Sequence, residues 1–253
     1  MKQALKDEAV QPPHTITADN AVAGRGLGDG KALPVINPAT GAQAGSLIEA
    51  DATTVDRAVI AARQAFDETD WPTWTVAARQ KLLHAIADRV EAHADELAEL
   101  ECVALGVPLR ELKARHMRRA AYNFRFFSEV IGQQRGAVYD QTDGYRTMVV
   151  REPVGVAALI APWNAPVALA SMKVAAALAC GNTAVLKPSE YTPFALRRFV
   201  DLLSEAGVPD GVLNLVNGRG PVTGAALVAH QGVDRVSFTG GTQTGRAIMA
   251  EAG

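Results

Sequence analysis

A chain of 253 residues with 48% hydrophobic and 21% charged side chains reads as soluble and globular, long enough for one large domain or one and a half ordinary ones. Its 25 Lys and Arg against 27 Asp and Glu leave a net charge of -2, which excludes a basic field for nucleic acid and an acidic tail for a basic partner. The longest apolar-rich stretch, Val154–Gly181, is interrupted by Pro162, Asn164 and Pro166 and carries Lys173, so it reads as a strand and a helix of a buried core and not as a membrane span.

The opening residues lack a long apolar run and carry Asp7 and Glu8, which argues against a signal peptide. Residues 1–30 are polar and glycine-rich and are expected to form a flexible arm. Val35–Ala50 reads as two strands around a Pro-Ala-Thr-Gly turn. Asp51 then caps a helix whose apolar face is Val55, Ala58, Val59, Ala62 and Phe66. Arg79–Gly106 predicts helix in two pieces, stopped by Gly106 and Pro108, and a third helix runs from about Leu109 to Ile131. These make 31–135 a largely helical region. Thr142-Asp143-Gly144, between β-forming runs, marks a protruding hairpin over 136–152. From 153 to 253 strand-like and helix-like segments alternate four times with short connections, which predicts an α/β fold with a parallel sheet and crossover helices. Cys102 and Cys180 are far apart, each in helix-like sequence, and point to a reduced, cytoplasmic setting.

Every unusual cluster falls where a predicted parallel strand ends, which is where ligands bind in open α/β sheets. After the first strand, Pro162 and Pro166 restrict the backbone around Trp163 and Asn164. Asn164 is then either a fixed amide donor for a developing oxyanion or the cap of the following helix. After the second strand, Lys187 and Glu190 are placed to bind ribose hydroxyls; alternatively Ser189 or Glu190 caps a helix. After the third, Gly218, Gly220 and Gly224 are spaced to let a nucleotide approach the backbone, or simply to form a tight turn. After the fourth, Gly240, Gly241 and Gly245 open a helix whose first N–H groups suit a pyrophosphate, or ease its entry.

Taken in order, "PWN" at Pro162–Asn164, "GNTAVLKPSE" at Gly181–Glu190, "NGRGPVTG" at Asn217–Gly224 and "VSFTGGTQTG" at Val236–Gly245 resemble the aldehyde dehydrogenase superfamily. "INPATG" near the start, the Trp71–Trp74 stretch and "PVGVAALIAPWN" agree, so the resemblance covers about Leu33 to Gly253. It implies a Rossmann-like cofactor-binding half and NAD(P)-dependent oxidation of an aldehyde to an acid. The implied cofactor-binding set is Ile160, Ala161, Pro162, Trp163 and Asn164 along the cofactor, Lys187, Ser189 and Glu190 at the adenosine ribose, Gly220 and Gly224 near the adenine, and Gly240, Gly241 and Gly245 at the pyrophosphate. Asn164 takes the role of oxyanion donor, and Glu190 favours NAD over NADP by repelling a 2′-phosphate. The hairpin resembles the arm through which family members oligomerise, and semialdehyde dehydrogenases of aromatic breakdown resemble the chain most.

The family's nucleophilic cysteine and its base, in a Glu-Leu-Gly-Gly segment, have no counterpart in the 253 residues. Neither Cys102 nor Cys180 sits in a nucleophile motif, and the five histidines show no metal spacing. The expectation is therefore a cofactor-binding half without the catalytic domain, with an open sheet edge after the last helix and an apolar surface that favours aggregation. Such a half is inactive by itself. The alternative is a catalytically silent NAD-binding or oligomerisation module, or one piece of a split enzyme. No nucleic-acid or membrane partner is expected, and an aldehyde is the substrate only where the remaining half is supplied.

Overall fold

The computed structural model describes residues 16–252. The expected arm lies in part outside these residues, and where it is described it is not an arm. Residues 16–27 form three short strands, β1 (Ile16–Ala18), β2 (Asn20–Val22) and β3 (Arg25–Leu27). The reason is long-range pairing. Asn20, polar in sequence, is fully buried: its amide donates to the Ile48 carbonyl (3.3 Å) and its side-chain oxygen accepts from the Asn217 N–H (2.7 Å).

Strands β4 (Lys31–Ile36) and β5 (Gln43–Glu49) pair antiparallel around the predicted turn, and β1 adds parallel to the other edge of β5. Helix α1 (Ala52–Asp67) begins at Asp51, whose carboxylate accepts from the Thr54 N–H at 2.8 Å. A single 3₁₀ turn, Trp71–Thr73, leads to α2 (Val76–Ala92) and α3 (Ala94–Leu105). Gly106, at φ 76°, ends α3 in the left-handed conformation that a side chain disfavours. The helix expected from Leu109 is continuous in path but contains a π segment: α4 (Leu109–Glu111), the π-helical Leu112–Met117, then α5 (Arg118–Gln133). Hairpin β6 (Ala137–Thr142) and β7 (Tyr145–Val149) stands out from the body with nearly every side chain exposed.

The remaining elements alternate as the pattern predicts: β8 (Val156–Ile160), α6 (Pro166–Ala179), β9 (Thr183–Lys187), α7 (Phe194–Glu205), β10 (Leu213–Leu215), a π turn at Gly220–Gly224 running into α8 (Ala225–Val228), β11 (Arg235–Phe238) and α9 (Thr242–Glu251). The sheet order is β11-β8-β9-β10-β2-β3; the first four strands are parallel and the last two antiparallel. Side chains alternate between two buried faces. Ala157, Leu159, Ala184 and Leu186 join a core with α2, α5, α6 and α7. Val156, Ala158 and Val185 face Val55, Ala58, Val59 and Ala62 of α1. The region 31–135 is thus not purely helical, and its first helix supplies the second layer over the parallel sheet. Among the described residues no helix is long and apolar enough to cross a membrane.

Candidate functional site

Strand register sets the site. Ile160 is paired with Lys187 on one side and Phe238 on the other, so the carboxyl ends of β8, β9 and β11 finish flush. Above them a groove of about 740 Å³ opens between the sheet and the α8 and α9 helices. Ile160, Lys187, Gly220 and Gly224 all line it, with Val228, Phe238 and Ile248 as apolar walls. A Cβ on Gly220 or Gly224 would meet no atom within 4 Å, so packing within the chain does not require glycine there. The open space beside both belongs to the groove. Gly218 is different: its φ is +145° and a Cβ would stand 1.9 Å from Thr223 Oγ1.

The loop after β10 is pinned from several sides. The Glu49 carboxylate accepts from Arg219 Nε and Nη2, both at 2.8 Å, and from the Arg219 N–H at 3.1 Å. Thr223 Oγ1 donates to the Ala50 carbonyl at 2.7 Å, and the Asn217 amide donates to the Asp19 carbonyl at 2.7 Å. Arg219 holds the buried Glu49 carboxyl below its ordinary range, chiefly by hydrogen bonding to the charged form. A depressed carboxylate contributes stability that is complete above the unfolded value of about 4.3 and is lost as pH falls through the lower folded value. The stability difference between the parent and Glu49→Gln is therefore expected to be constant above about pH 5 and to shrink on acidification below about pH 4. Urea melts across that range check it; a difference that grows toward acid contradicts the assignment.

Lys187 is 3% exposed, and among the described residues its Nζ has one hydrogen-bond partner, Glu190 Oε2, at 3.5 Å. Burial pushes the Lys187 ammonium below its ordinary range, with Glu190 and Glu49 pulling it back up. Ser189 does not cap a helix. Its oxygen accepts from the Tyr191 N–H (3.3 Å), and α7 starts later, after Pro193. Glu190 likewise leaves α7 uncapped and faces Lys187.

Asn164 does not cap α6 either: the cap position is Ala165, and no side chain caps there. The Asn164 amide is exposed and makes no hydrogen bond among the described residues, so it is free to donate. Ala161 is buried at the end of β8, Pro162 is half-buried and Trp163 is 56% exposed. The structure does not gather every candidate into one groove. Gly240, Gly241 and Gly245 line an adjoining hollow that shares Val228, Phe238 and Ile248 with it. Gly240 is imposed by the Phe238 ring, 2.4 Å from where a Cβ would lie, whereas Gly241 has open space. Asn164 lines a third hollow together with Ala165, Ala168 and Met172.

Sequence reasoning missed Glu101, Lys173 and the Asn20–Asn217 network. Glu101 is 1% exposed and accepts from the Val167 N–H at the start of α6 (3.1 Å) and pairs with His116 Nδ1 (2.6 Å). Its signal was a charge at a core position, four residues after Leu97 and three before Ala104, both buried. Lys173 is buried on α6 against Ser237 Oγ at 3.0 Å, and burial lowers its ammonium. The thiols lie elsewhere. Cys102 is on α3, where burial and Glu99 push it up and away from thiolate. Cys180 follows the last residue of α6, a helix of 14 residues, about 20 Å from the end that carries Asn164.

Comparison with known proteins finds the aldehyde dehydrogenase family model matching residues 27–253. Benzaldehyde dehydrogenase, mitochondrial, of Antirrhinum majus is 38% identical over 97% of this chain and 47% of its own length. The 5-carboxymethyl-2-hydroxymuconate semialdehyde dehydrogenase of Escherichia coli is 42% identical over 86% of this chain and 46% of its own length. The NAD+ complex structure of an aldehyde dehydrogenase from Bacillus cereus superposes with a TM-score of 0.90 at 36% identity, covering 100% of this chain and 51% of that one. The chain thus spans about half the length of the curated relatives it matches.

Proposed function

The chain belongs to the aldehyde dehydrogenase family, and from that premise we propose that it holds NAD, in preference to NADP, and offers an aldehyde the amide of Asn164. One observation carries this reading: Ile160, Lys187, Gly220 and Gly224, far apart in sequence, line a single groove at the carboxyl ends of parallel strands. NAD supplies the hydride acceptor when bound. The Lys187 ammonium and Glu190 carboxylate bind the adenosine ribose hydroxyls, with Ser189 holding the turn between them. Gly220 and Gly224 leave room for the adenine, the N–H groups of Gly240 and Gly241 at the opening of α9 face the pyrophosphate, and Gly245, whose N–H donates to the Gly241 carbonyl (3.0 Å), places no side chain beside it. Ile160, Ala161, Pro162 and Trp163 form the wall toward the nicotinamide. Asn164 donates to the aldehyde oxygen as negative charge develops there, and its freedom from internal partners suits that task. Oxidation of an aldehyde to an acid is the whole reaction this serves, and its nucleophile is neither Cys102 nor Cys180.

The hairpin is the surface for self-association, since Val138, Tyr145 and Met148 on it are 65%, 75% and 68% exposed.

Calorimetric titration with NAD tests the nucleotide reading. Lys187→Met is expected to weaken NAD binding by about tenfold to a hundredfold, the effect of losing charge-assisted hydrogen bonds. Glu190→Gln is expected to narrow the preference over NADP. No heat at millimolar NAD with the parent protein overturns the proposal.

A further inference from the structure

Lys187 is a primary amine placed where a small electrophile can reach it. It is the last residue of β9 and lines the groove of about 740 Å³ above the sheet, yet only 3% of it is exposed. Ile160, Val228, Phe238 and Ile248 make the wall around it largely apolar. Among the described residues its Nζ has the single partner Glu190 Oε2, at 3.5 Å, the outer limit of a hydrogen bond. So weak a contact leaves the nitrogen lone pair available once a proton is lost. Burial favours the neutral amine, and the carboxylates of Glu190 and Glu49 oppose it.

Two other lysines serve as internal comparisons. Lys173 is also buried, and burial also lowers its ammonium, but its Nζ is held by Ser237 Oγ at 3.0 Å and it does not line the groove. Lys81, on α2, is exposed.

We propose that Lys187 is a site of reversible covalent modification by small apolar aldehydes when the groove holds no nucleotide. The amine lone pair adds to the carbonyl carbon, and the C=O π pair moves onto oxygen. Transfer of one proton from nitrogen to oxygen gives the carbinolamine. Transfer of the second, through the Glu190 carboxylate, lets the hydroxyl leave as water and the C=N bond form. Aldehyde and amine thus become imine and water, with no change in oxidation state. A desolvated lysine in an apolar pocket is the setting in which this addition is favoured. An aldehyde that arrives before the nucleotide therefore blocks the groove. That consequence rests on the proposed role of Lys187 at the ribose; the modification itself does not.

Propanal with cyanoborohydride, which reduces the imine to a stable secondary amine, tests this on the parent protein at neutral pH. Peptide mass spectrometry locates and times each adduct. Without NAD, Lys187 is expected to be alkylated at least about fivefold faster than Lys81, the advantage of an amine that burial keeps neutral. Lys173 is expected to react more slowly than Lys81, because it shares the burial without the groove. NAD at about ten times its Kd is expected to slow Lys187 by about tenfold, the factor 1 + [NAD]/Kd, and to leave Lys81 unchanged. Alkylation of Lys187 no faster than that of Lys81, or no faster than that of Lys173, overturns the proposal. Rapid alkylation of Lys187 that NAD does not slow upholds the modification site and strikes instead at the nucleotide reading. Every rate is read in the parent protein, so no substitution confuses loss of the site with loss of the fold.

Discussion

Glu101→Ala is expected to lower the unfolding free energy by about 3–5 kcal/mol, the range for removing one partner of a buried charged or hydrogen-bonded pair. Helix α6 begins with Pro166, and its cap position, Ala165, offers no side-chain acceptor. The early N–H groups of a helix need acceptors from somewhere. Glu101, reaching across from α3, supplies one to Val167, and its other oxygen takes the His116 ring. Truncation leaves a buried N–H and a half-buried imidazole without partners at the end of the helix that follows Asn164. Glu101→Gln keeps an acceptor for Val167 and is expected to recover roughly half of the loss. Urea unfolding with an unchanged m-value measures both; a loss under 1 kcal/mol for the alanine variant shows that water replaces the carboxylate at no cost.

Trp71→Ala is expected to destabilise by a similar 3–5 kcal/mol, the usual cost of deleting a buried aromatic. The ring is 1% exposed, its Nε1 donates to the Asn182 carbonyl at 3.1 Å, and Trp74 lies 5.1 Å away between centroids. It also shelters Arg79, a buried guanidinium whose carbon sits 4.8 Å from the ring centroid. Among the described residues Arg79 finds only carbonyl acceptors, those of Trp71 (2.6 Å), Pro72 (2.9 Å) and Leu178 (3.5 Å), and burial lowers its pKa. Without the indole that charge faces a void. Trp71→Phe restores the packing without the N–H and is expected to lose about 1–2 kcal/mol. Equilibrium denaturation distinguishes the two, and near-equal stabilities for alanine and phenylalanine would falsify the packing account.

What the sequence revealed, and what it hid, follow one physical division. Local signals are short-range, so α1 with its Asp51 cap, the stop at Gly106 and the strand pairs β8 to β11 all stand where periodicity and capping placed them. Features decided by distant partners were out of reach. Residues 16–27 look like a linker because two of their binding groups, Asn20 and the Ala23 N–H, meet partners 197 and 191 positions away. The π segment Leu112–Met117 has no periodic signature separate from that of a helix. Motif order was enough to bring Lys187, Gly220 and Gly224 together. It gave no notice that Asn164 opens on a different hollow, lined by residues of α6 and of the π segment that lie far apart in sequence.

Strand β2 sits on the far side of β10, antiparallel to it, although β10 is made about 190 residues later. A nascent chain leaving the ribosome therefore carries the β2–β3 pair without its β10 neighbour until residues 213–215 have been made. Closing that loop comes late and carries a large entropic cost. Because Asn217 and Asp19 meet at the same seam, the loop that lines the groove gains this anchor only when the two ends of the chain come together.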